Sequence, residues 1–219
     1  MSDKPDLPPT ANRADHVADG RLRAPSTPRN VEPITSLLVS RLAPEGRLLE
    51  IASGTGEHVV AFASKLPGWR FQPTDIDPDR IASIQAWIKH SGATNIAAPG
   101  KLDSTKPGWG QTIEPVDAIF VSNLFHLISE AKARTALNEA TQALKLGGKL
   151  IIYGPSMRDG ELTSEGDQAF HKSLNAHDPE IGYKDDFDMI EWMQEAGLEP
   201  EEVIEMPSNN LSFICRRVI

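Results

Sequence analysis

The spacing of apolar residues changes repeatedly along the chain, between short continuous runs and helical periods. Short runs rich in apolar residues, continuous or alternating, are typical of strands, and they predict strands over residues 47–52, 69–75, 96–102, 117–123 and 149–154. The segments between these runs place apolar residues three or four positions apart, which is the period of an amphipathic helix. Strands that alternate with helices in this way predict an α/β fold, with a mainly parallel sheet and helices on both faces.

Capping residues indicate where several of these helices begin and end. Asn30 can cap a first helix, and Asp77, which Pro78 follows, can cap another. Ser129 can cap a long helix, and the sequence Lys-Leu-Gly-Gly at residues 145–148 has the basic and glycine signals of a helix C-terminus. The helix from Ser129 is therefore expected to end just before residue 145.

The last third of the chain begins with a polar segment, residues 155–183, in which apolar positions show no period. A segment of this length inside a compact domain is usually functional or disordered, so it predicts a loop or lid. A last helix is predicted over residues 186–196, and residues 201–206 and 209–218 are predicted to form a closing hairpin-like pair of strands. The total is about seven strands and five or six helices.

Length and composition favour one globular domain. The chain has 219 residues, of which 39% are hydrophobic and 24% charged, and these are ordinary values for a soluble domain. Residues 1–20 are polar, acidic and rich in proline, so we expect a disordered tail before a single domain over residues 21–219. The tail lacks the apolar segment of a secretory signal, and no apolar run approaches the ~20 residues of a membrane span.

Charge and cysteine content limit which binding partners and which cellular compartment are expected. The formal charge of −9 argues against nucleic acid as a main partner, because phosphate binding needs a basic face. Cys215 is the single cysteine, so no internal disulfide is possible and a reducing, cytoplasmic location is expected. Its strand-like surroundings indicate a core residue rather than a nucleophile. The six histidines show no ligand spacing, so no metal site is predicted.

The segment from Leu48 to His58, LLEIASGTGEH, is predicted to be a strand, a small-residue turn and the start of a helix. Loops of this kind hold nucleotide-like cofactors. Gly54 and Gly56 match the first two glycines of the dinucleotide fingerprint, but Val59 occupies the position of the third. A branched side chain there holds the helix away from the strand. This argues against a pyrophosphate ligand, and so against a nicotinamide-dependent oxidoreductase.

Three acidic residues follow the predicted strands in order. Glu50 lies at the end of the first strand, Asp75 ends the second and Asp103 follows the third. An acid just beyond the second strand can accept hydrogen bonds from both hydroxyls of a ribose. Asp77 competes for this role, although it already has a function as a helix cap. Two acids near the loop oppose a pyrophosphate and suit a cationic ligand without phosphate, such as S-adenosylmethionine.

The segments LLEIASGTGEH, TDID, LDS and VSNLFH resemble the ordered motifs of class I S-adenosylmethionine-dependent methyltransferases. The first motif of that family reads E-x-G-x-G-x-G, and Ala52 stands here at its first glycine position. The resemblance implies that Glu50 orients the loop and the methionine ammonium. It further implies that Asp75 binds the ribose hydroxyls and Asp103 the adenine amino group, with S-adenosylhomocysteine as the product.

Segments near both ends extend the resemblance to one family within this class. The sequences APSTPRNVEPI, YGPSMRDGELTSEGDQAFHKSLNAHDPEIGY and EMPSNNLSF resemble the methyltransferase-like 26 family, over about residues 20–217. This resemblance implies the Rossmann-like class I fold with an antiparallel last strand. It also favours a site role for Arg29 and Asn30, with the N-terminal segment closing over the cofactor, although a helix cap and a solvated arginine would explain the same residues.

Further cofactor contacts are predicted at positions beside these motifs. Besides the residues already named, the predicted contacts are Ser53, Gly54, Gly56, Ile76, Leu102, Ser104 and Asn123. Several of these positions follow the ends of predicted strands, where the ligand crevice of an open α/β sheet lies.

Two histidines are candidates for catalysis. His126 follows the fourth predicted strand, and its ordinary pKa of ~6.5 suits a general base. The alternative is a residue at a helix start that hydrogen-bonds to a neighbour. His58 lies in the first turn after the glycine loop, where it could contact the cofactor or the acceptor, or be a surface residue.

Four residues are candidates for substrate binding. Tyr153 ends the fifth predicted strand, and Arg158 follows in the predicted lid, where it could hold a carboxylate bidentately or be solvated. Asn209 and Asn210 lie at the final turn. Turn chemistry explains two asparagines equally well, so their binding role rests on the family resemblance.

Two functions fit these observations. The first is methyl transfer from S-adenosylmethionine to O, N or S of a small-molecule acceptor, by a monomer or homodimer. The second is non-catalytic binding of S-adenosylmethionine by an interaction protein. The acidic net charge and a long loop over the crevice favour a small substrate in an enclosed pocket.

Overall fold

The computed structural model describes residues 7–8, 11, 13–17 and 19–219. These residues divide into two compact units. Unit 1 consists of Arg13–Asp103 and Val116–Phe120. Unit 2 consists of Ser104–Pro115 and Val121–Ile219, with residues 7, 8 and 11. No helix of the described residues is both long enough and apolar enough to cross a membrane.

Unit 1 contains the first nine elements of the chain. They are β1 (Asp15–His16), β2 (Leu22–Arg23), α1 (Thr27–Arg41), β3 (Gly46–Ile51), α2 (Glu57–Lys65), β4 (Trp69–Asp75), α3 (Pro78–Ser91), β5 (Gly100–Lys101) and the first five residues of β6 (Val116–Ser122). The strands follow one another in the order β5, β4, β3, β6. β4 is parallel to both β3 and β5, and β1 and β2 form a small antiparallel hairpin.

The core of unit 1 explains why its central strands read as apolar runs. Leu48, Leu49 and Phe71 are almost completely buried in β3 and β4. Phe62 of α2 packs edge-on against Phe120 of β6, with ring centroids 5.2 Å apart. Burial on both faces of a parallel sheet favours continuous apolar runs over alternation.

Unit 2 contains the remaining elements. They are the end of β6, a 3-10 turn (Phe125–Leu127), α4 (Glu130–Ala143), β7 (Leu144–Met157), α5 (Glu165–His177), β8 (Lys184–Asp185), α6 (Asp186–Glu195), β9 (Leu198–Met206) and β10 (Asn210–Arg217). β10 lies between β7 and β9 and is antiparallel to both. β8 adds a short parallel pairing to the end of β7.

The predicted fold class is confirmed. The chain has a mixed α/β sheet of seven strands with the short β8 beside β7, mostly parallel with antiparallel C-terminal strands, as in the Rossmann-like methyltransferase fold. The predicted second strand matches β4, and the predicted closing pair matches β9 and β10. Asp77 and Ser129 cap α3 and α4 through their side chains. Cys215 is buried in β10, as predicted.

Two predictions about element ends are wrong, and one is confirmed. Asn30 is not a cap, because α1 already begins at Thr27 after Ser26, and Arg29 and Asn30 lie within the helix. The predicted end of the Ser129 helix before residue 145 is confirmed, since α4 ends at Ala143 with Leu144 as its C-cap, and residues 145–148 belong to β7. The predicted third strand contracts to Gly100–Lys101 with a single bridge from Phe71 to Ile96.

The prediction that residues 155–183 lack regular structure is also wrong. They contain α5, which Ser164 caps by accepting a hydrogen bond from the backbone N–H of Asp167. Leu174 of α5 is fully buried and forms a small core cluster with Ile181 and Tyr183. A short apolar stripe of this kind escapes a search for helical periods.

The predicted disordered tail falls partly outside the described residues. Residues 1–6, 9, 10, 12 and 18 are not described. Among the others, Asp15–His16 pairs with Leu22–Arg23. The start of the predicted domain at residue 21 therefore lies within this hairpin.

Candidate functional site

The loop between β3 and α2 has an unusual backbone. Ala52, Gly54 and Gly56 all adopt the left-handed conformation, with φ values of 52°, 59° and 93°. This conformation costs an L-residue about 1–2 kcal/mol and glycine almost nothing. The glycine that the methyltransferase motif places at position 52 therefore has a conformational reason, and Ala52 adopts the same conformation with strain.

The end of β4 fixes the loop. Ser53 donates its backbone N–H to the carbonyl of Thr74 at 2.8 Å, and its hydroxyl accepts the N–H of Thr74 at 3.1 Å. The Thr74 hydroxyl in turn donates to the carbonyl of Glu50 at 2.7 Å. Sequence reasoning missed Thr74, which has no signal beyond its place before Asp75.

The two glycines of the loop face different surroundings. A β-carbon on Gly56 would lie 2.8 Å from the Cα atom of Ile84 in α3, which is closer than real contacts allow. A β-carbon on Gly54 would meet only the carbonyl oxygen of Ala52, at 3.9 Å. Gly56 is therefore required for packing against α3, whereas the space beside Gly54 is open.

Asp75 connects the loop to the neighbouring strand ends. Its carboxylate accepts the backbone N–H groups of Gly54 and Asp77, both at 2.9 Å. Its carbonyl accepts the N–H of Leu102 at 3.0 Å. Burial raises the pKa of Asp75, although the two N–H bonds oppose this shift. The predicted contacts Gly54, Asp75 and Leu102 thus meet at one point, with Ile76 next to them in the chain.

Glu50 is the most perturbed acid of unit 1. It is 1% exposed, and its Oε2 atom has no hydrogen-bond partner. Burial raises the pKa of Glu50 to about 8, the charge of Asp75 adds to this shift, and a hydrogen bond from Ser53 opposes it. A buried carboxyl oxygen without a partner is rare in folded proteins, and it points to a ligand with a hydrogen-bond donor or a positive charge.

His58, which follows the loop in the chain, also has a buried side-chain atom without a hydrogen-bond partner. It lies in the first turn of α2, where it is 9% exposed and its Nε2 atom has no hydrogen-bond partner. Burial lowers the pKa of His58 to about 4, so its ring is neutral at neutral pH. The ring packs near Phe62, with centroids 5.9 Å apart.

The remaining predicted contacts of unit 1 differ in exposure. Asn30 is buried in α1, whereas Arg29 is exposed on the same helix. Asp103 is partly buried after β5. Their predicted contacts with the cofactor stay predictions.

Seven predicted site residues lie in unit 2, and four of them are Ser104, Asn123, His126 and Tyr153. Asn123 follows β6 with a φ of 53° and donates its backbone N–H to the carbonyl of Tyr153 at 2.8 Å. Tyr153 is 1% exposed in β7. Ser104 is buried, and its carbonyl accepts the indole N–H of Trp109 at 3.2 Å. His126 lies in the 3-10 turn after Asn123.

The surroundings of His126 are aromatic. Its ring centroid lies 5.7 Å from that of Phe170 and 6.1 Å from that of Tyr183. Burial and, to a lesser extent, the charge of Lys184 lower the pKa of His126 to about 3. A histidine with such a pKa is a weak proton acceptor, so this packing disfavours the predicted role of general base.

The predicted substrate residues of the C-terminal region bond to one another and to their neighbours. Arg158 donates two hydrogen bonds from its guanidinium to the carboxylate of Glu205, at 2.9 and 2.7 Å, and its role in substrate binding stays a prediction. Asn209 donates to Asp167 at 3.0 Å, and Asn210 donates to the carbonyl of Pro207 at 2.9 Å.

Asp167 is a structural centre that sequence reasoning missed. Its carboxylate accepts hydrogen bonds from the side chains of Thr163, Ser164, Tyr183 and Asn209. Burial opposes ionisation of Asp167, but these four donors outweigh it and lower the pKa. The spacing of Ser164 and Asp167 is that of a helix cap, and this was the available signal.

No group of three or more His, Cys, Asp and Glu side chains in the described part of the chain is placed to hold a metal ion. Unit 1 has three potential ligand-binding features. They are a loop with an open position at Gly54, an unpaired buried carboxyl at Glu50 and an acid at the end of β4.

Known structures share this fold. An O-methyltransferase family protein from Burkholderia thailandensis matches with a TM-score of 0.74 and 16% identity, covering 85% of this chain and 56% of that one. Human N-acetylserotonin methyltransferase, solved in complex with S-adenosylmethionine, matches with a TM-score of 0.70 and 16% identity, covering 86% and 52%. The chain thus spans about half the length of these proteins.

A candidate methyltransferase of Bacillus halodurans has nearly the same extent as this fold. It matches with a TM-score of 0.66 and 15% identity, covering 86% of this chain and 99% of that one. Identities this low establish the class I methyltransferase fold alone.

A family model gives the closer relationship. It matches residues 21–217, almost the whole of the domain predicted from the sequence, and its family corresponds to the methyltransferase-like 26 family that the motifs resemble. The chain belongs to the family described as "Protein of unknown function (DUF938)", with the fold of class I S-adenosylmethionine-dependent methyltransferases.

Proposed function

We propose that the protein binds S-adenosylmethionine in unit 1 and transfers its methyl group to an oxygen, nitrogen or sulfur atom of a small-molecule acceptor. The observation that carries this proposal is the buried carboxyl of Glu50, whose Oε2 atom has no partner. Leaving such a group unpaired is costly. A ligand ammonium removes this cost, because it supplies both the missing donor and the opposite charge.

Asp75 suits the ribose of the same ligand. Each of its oxygens accepts one backbone N–H, and a carboxylate has about four acceptor positions, so two stay available for a diol. The charge of Asp75 already raises the pKa of Glu50. A pyrophosphate would add a third negative group, which supports S-adenosylmethionine over a nicotinamide dinucleotide.

The other contacts of the cofactor follow the family resemblance. In this proposal Asp103 accepts the adenine amino group, and Ile76 and Leu102 lie beside the adenine and ribose. Gly54 supplies open space next to the loop. Arg29, Asn30 and Ser53 complete the proposed set in unit 1, and the contacts of Ser104 and Asn123 stay predictions from the sequence.

The protein's own groups would orient the reactants rather than move protons. When bound, S-adenosylmethionine supplies an activated methyl group on a sulfonium, and the protein contributes positioning and exclusion of water. The low pKa values of His58 and His126 make both rings weak bases at neutral pH. Acceptors that ionise in solution without help, such as thiols, therefore suit this site best.

A non-catalytic S-adenosylmethionine-binding protein is the second candidate. Arg158 is held by Glu205, and both candidate histidines are buried weak bases, which favours a chain that binds the cofactor without acting on an acceptor. Turnover separates the two functions. Release of S-adenosylhomocysteine with any of a panel of thiol, amine and phenol acceptors supports the enzyme, and tight binding without release supports the second candidate.

Calorimetry with S-adenosylhomocysteine tests the shared part of both candidates. We expect the wild type to bind and Asp75→Ala to bind at least about tenfold more weakly, since it loses hydrogen bonds to a charged acceptor. Glu45→Gln is the control, because Glu45 is exposed in unit 1. Absence of binding by the wild type, or equal affinity of Asp75→Ala, would refute the proposal.

A further inference from the structure

The segment before α1 is attached to α3 by specific hydrogen bonds. Leu22 donates its backbone N–H to the hydroxyl of Ser83 at 2.8 Å and accepts the indole N–H of Trp87 at its carbonyl, also at 2.8 Å. Ser83 is 0% exposed and Leu22 is 7% exposed. The bond to Ser83 is buried and the bond from Trp87 is partly buried, and hydrogen bonds are stronger where water is excluded.

The same Ser83 hydroxyl continues into the glycine loop. It donates to the carbonyl of Thr55 at 2.7 Å while it accepts from Leu22. A hydroxyl has one donor hydrogen, and that hydrogen is used on the loop. Ser83 thus links the backbone of the N-terminal segment to the backbone of loop 52–56.

A second link runs through Glu57 at the start of α2. Its Oε2 atom accepts the backbone N–H of Ala24 at 2.9 Å and the hydroxyl of Thr55 at 3.0 Å. Thr55 is therefore held at its carbonyl through Ser83 and at its hydroxyl through Glu57. The two links end on the same residue of the loop and begin two residues apart in the N-terminal segment.

The N-terminal segment itself is braced against α3. The guanidinium of Arg21 lies 4.4 Å from the ring centroid of Trp87, a cation–π contact, and pairs with Asp19 at 2.8 Å. The carbonyl of Arg21 accepts the N–H of Val17 within the small hairpin. The family model begins at residue 21, so this braced segment lies inside the region that the family shares.

We propose that residues 21–24, here called the N-terminal clasp, are a positioning element of the cofactor site, with Ser83 and Glu57 as the positioning residues that connect them to loop 52–56. This inference rests on the proposed function. The loop contains three residues with positive φ, one of them a strained alanine, so alternative loop conformations compete with the binding conformation. Fixing Thr55 from two sides removes that competition before the ligand arrives, which increases affinity by pre-organisation.

Two variants of the full-length protein test the clasp. Ser83→Ala removes the link itself, and Trp87→Phe loosens the clasp without touching the loop, because it removes the indole N–H that bonds to Leu22 and reduces the ring under Arg21. Ser91→Ala is the control, since Ser91 lies exposed on the same helix and bonds only within its own turn and to Ala93. Affinities for S-adenosylhomocysteine and for adenosine are measured by calorimetry.

The loop lies under the amino-acid end of the ligand in the proposed function, so the two ligands should respond differently. We expect Ser83→Ala and Trp87→Phe to bind S-adenosylhomocysteine about three- to tenfold more weakly, the range for one lost hydrogen bond, while adenosine affinity changes less than twofold. If Ser83 and Trp87 had only a structural role, both variants would bind both ligands more weakly to the same extent. In the wild type, S-adenosylhomocysteine should also slow hydrogen exchange at the N–H groups of Leu22 and Ala24.

The outcomes separate this inference from the proposed function. If the wild type binds S-adenosylhomocysteine but both variants bind it equally well, the clasp has no positioning role. The same conclusion follows if the affinities for both ligands fall equally, or if S-adenosylhomocysteine leaves hydrogen exchange at the N–H groups of Leu22 and Ala24 unchanged. If the wild type does not bind S-adenosylhomocysteine at all, the proposed function fails first.

Discussion

Ligand binding at Glu50 should release a proton. Burial raises the pKa of this carboxyl from its ordinary 4.5 to about 8, and its Oε2 atom has no partner. In the ligand-free protein at pH 7, a group with that pKa is about 90% protonated. An ammonium placed against it favours the carboxylate and lowers the pKa well below 7. S-adenosylhomocysteine should therefore displace about 0.9 protons on binding at this pH.

The same equilibrium sets the pH dependence of affinity. Since the carboxylate form binds the ammonium, apparent affinity should rise with pH until it levels off above the pKa of about 8. Relative to that plateau, binding should be about tenfold weaker at pH 7 and about a hundredfold weaker at pH 6. The Glu50→Gln variant removes the titrating group, so its affinity should be low and nearly independent of pH over this range.

Calorimetry in two buffers with different heats of ionisation measures the protons released. The matched ligand control is adenosine, which lacks the amino-acid end and should release none at Glu50. The reasoning is wrong if the wild type releases no proton with S-adenosylhomocysteine at pH 7. It is equally wrong if Glu50→Gln releases as many protons as the wild type.

Glu50 also has a stability consequence in the ligand-free protein. Between pH 4.5 and about 8 the folded state holds a proton at Glu50 that the unfolded state has lost, so the free energy of unfolding falls as pH rises through this window. At ~1.4 kcal/mol for each tenfold change, the full effect is on the order of 5 kcal/mol. Glu50→Gln should be more stable than the wild type above pH 8, measured by urea unfolding.

Three further substitutions test the backbone and the C-terminal unit. Ala52→Gly should raise the free energy of unfolding by about 0.5–1 kcal/mol, because it relieves positive-φ strain at some cost in chain entropy; an equal or lower value in urea unfolding would contradict the strain. Gly56→Ala should lower the free energy of unfolding by more than about 2 kcal/mol, since the added β-carbon meets the backbone of Ile84. A thermal midpoint equal to that of Gly54→Ala would contradict this packing requirement. Asp167→Asn should lower the free energy of unfolding by about 1–3 kcal/mol, because it replaces an acceptor of four hydrogen bonds. An unchanged urea midpoint would show that these bonds do not stabilise the fold.

The sequence by itself determined the elements whose local signals agree with their burial. The predicted strand Trp69–Asp75 became β4 with unchanged bounds, and Asp77 and Ser129 cap their helices because a short polar side chain before a helix satisfies free N–H groups. The resemblance of four short motifs predicted the class I methyltransferase fold, and the resemblance of segments near both ends of the chain predicted the family. Each motif is a short stretch of sequence, so no distant contact was needed to recognise it.

Tertiary structure decided the features that depend on partners far away in the sequence. The predicted fifth strand covers residues 149–154, whereas β7 extends over Leu144–Met157, and its residues 149–155 pair with β10 far along the chain. The bonds of Ser83 to Leu22 and Thr55 span 61 and 28 positions, and no local pattern announces them. The perturbed pKa of Glu50 likewise comes from complete burial next to Asp75. Sequence indicated which residues could carry charge, and packing decided which of them lost their contact with water.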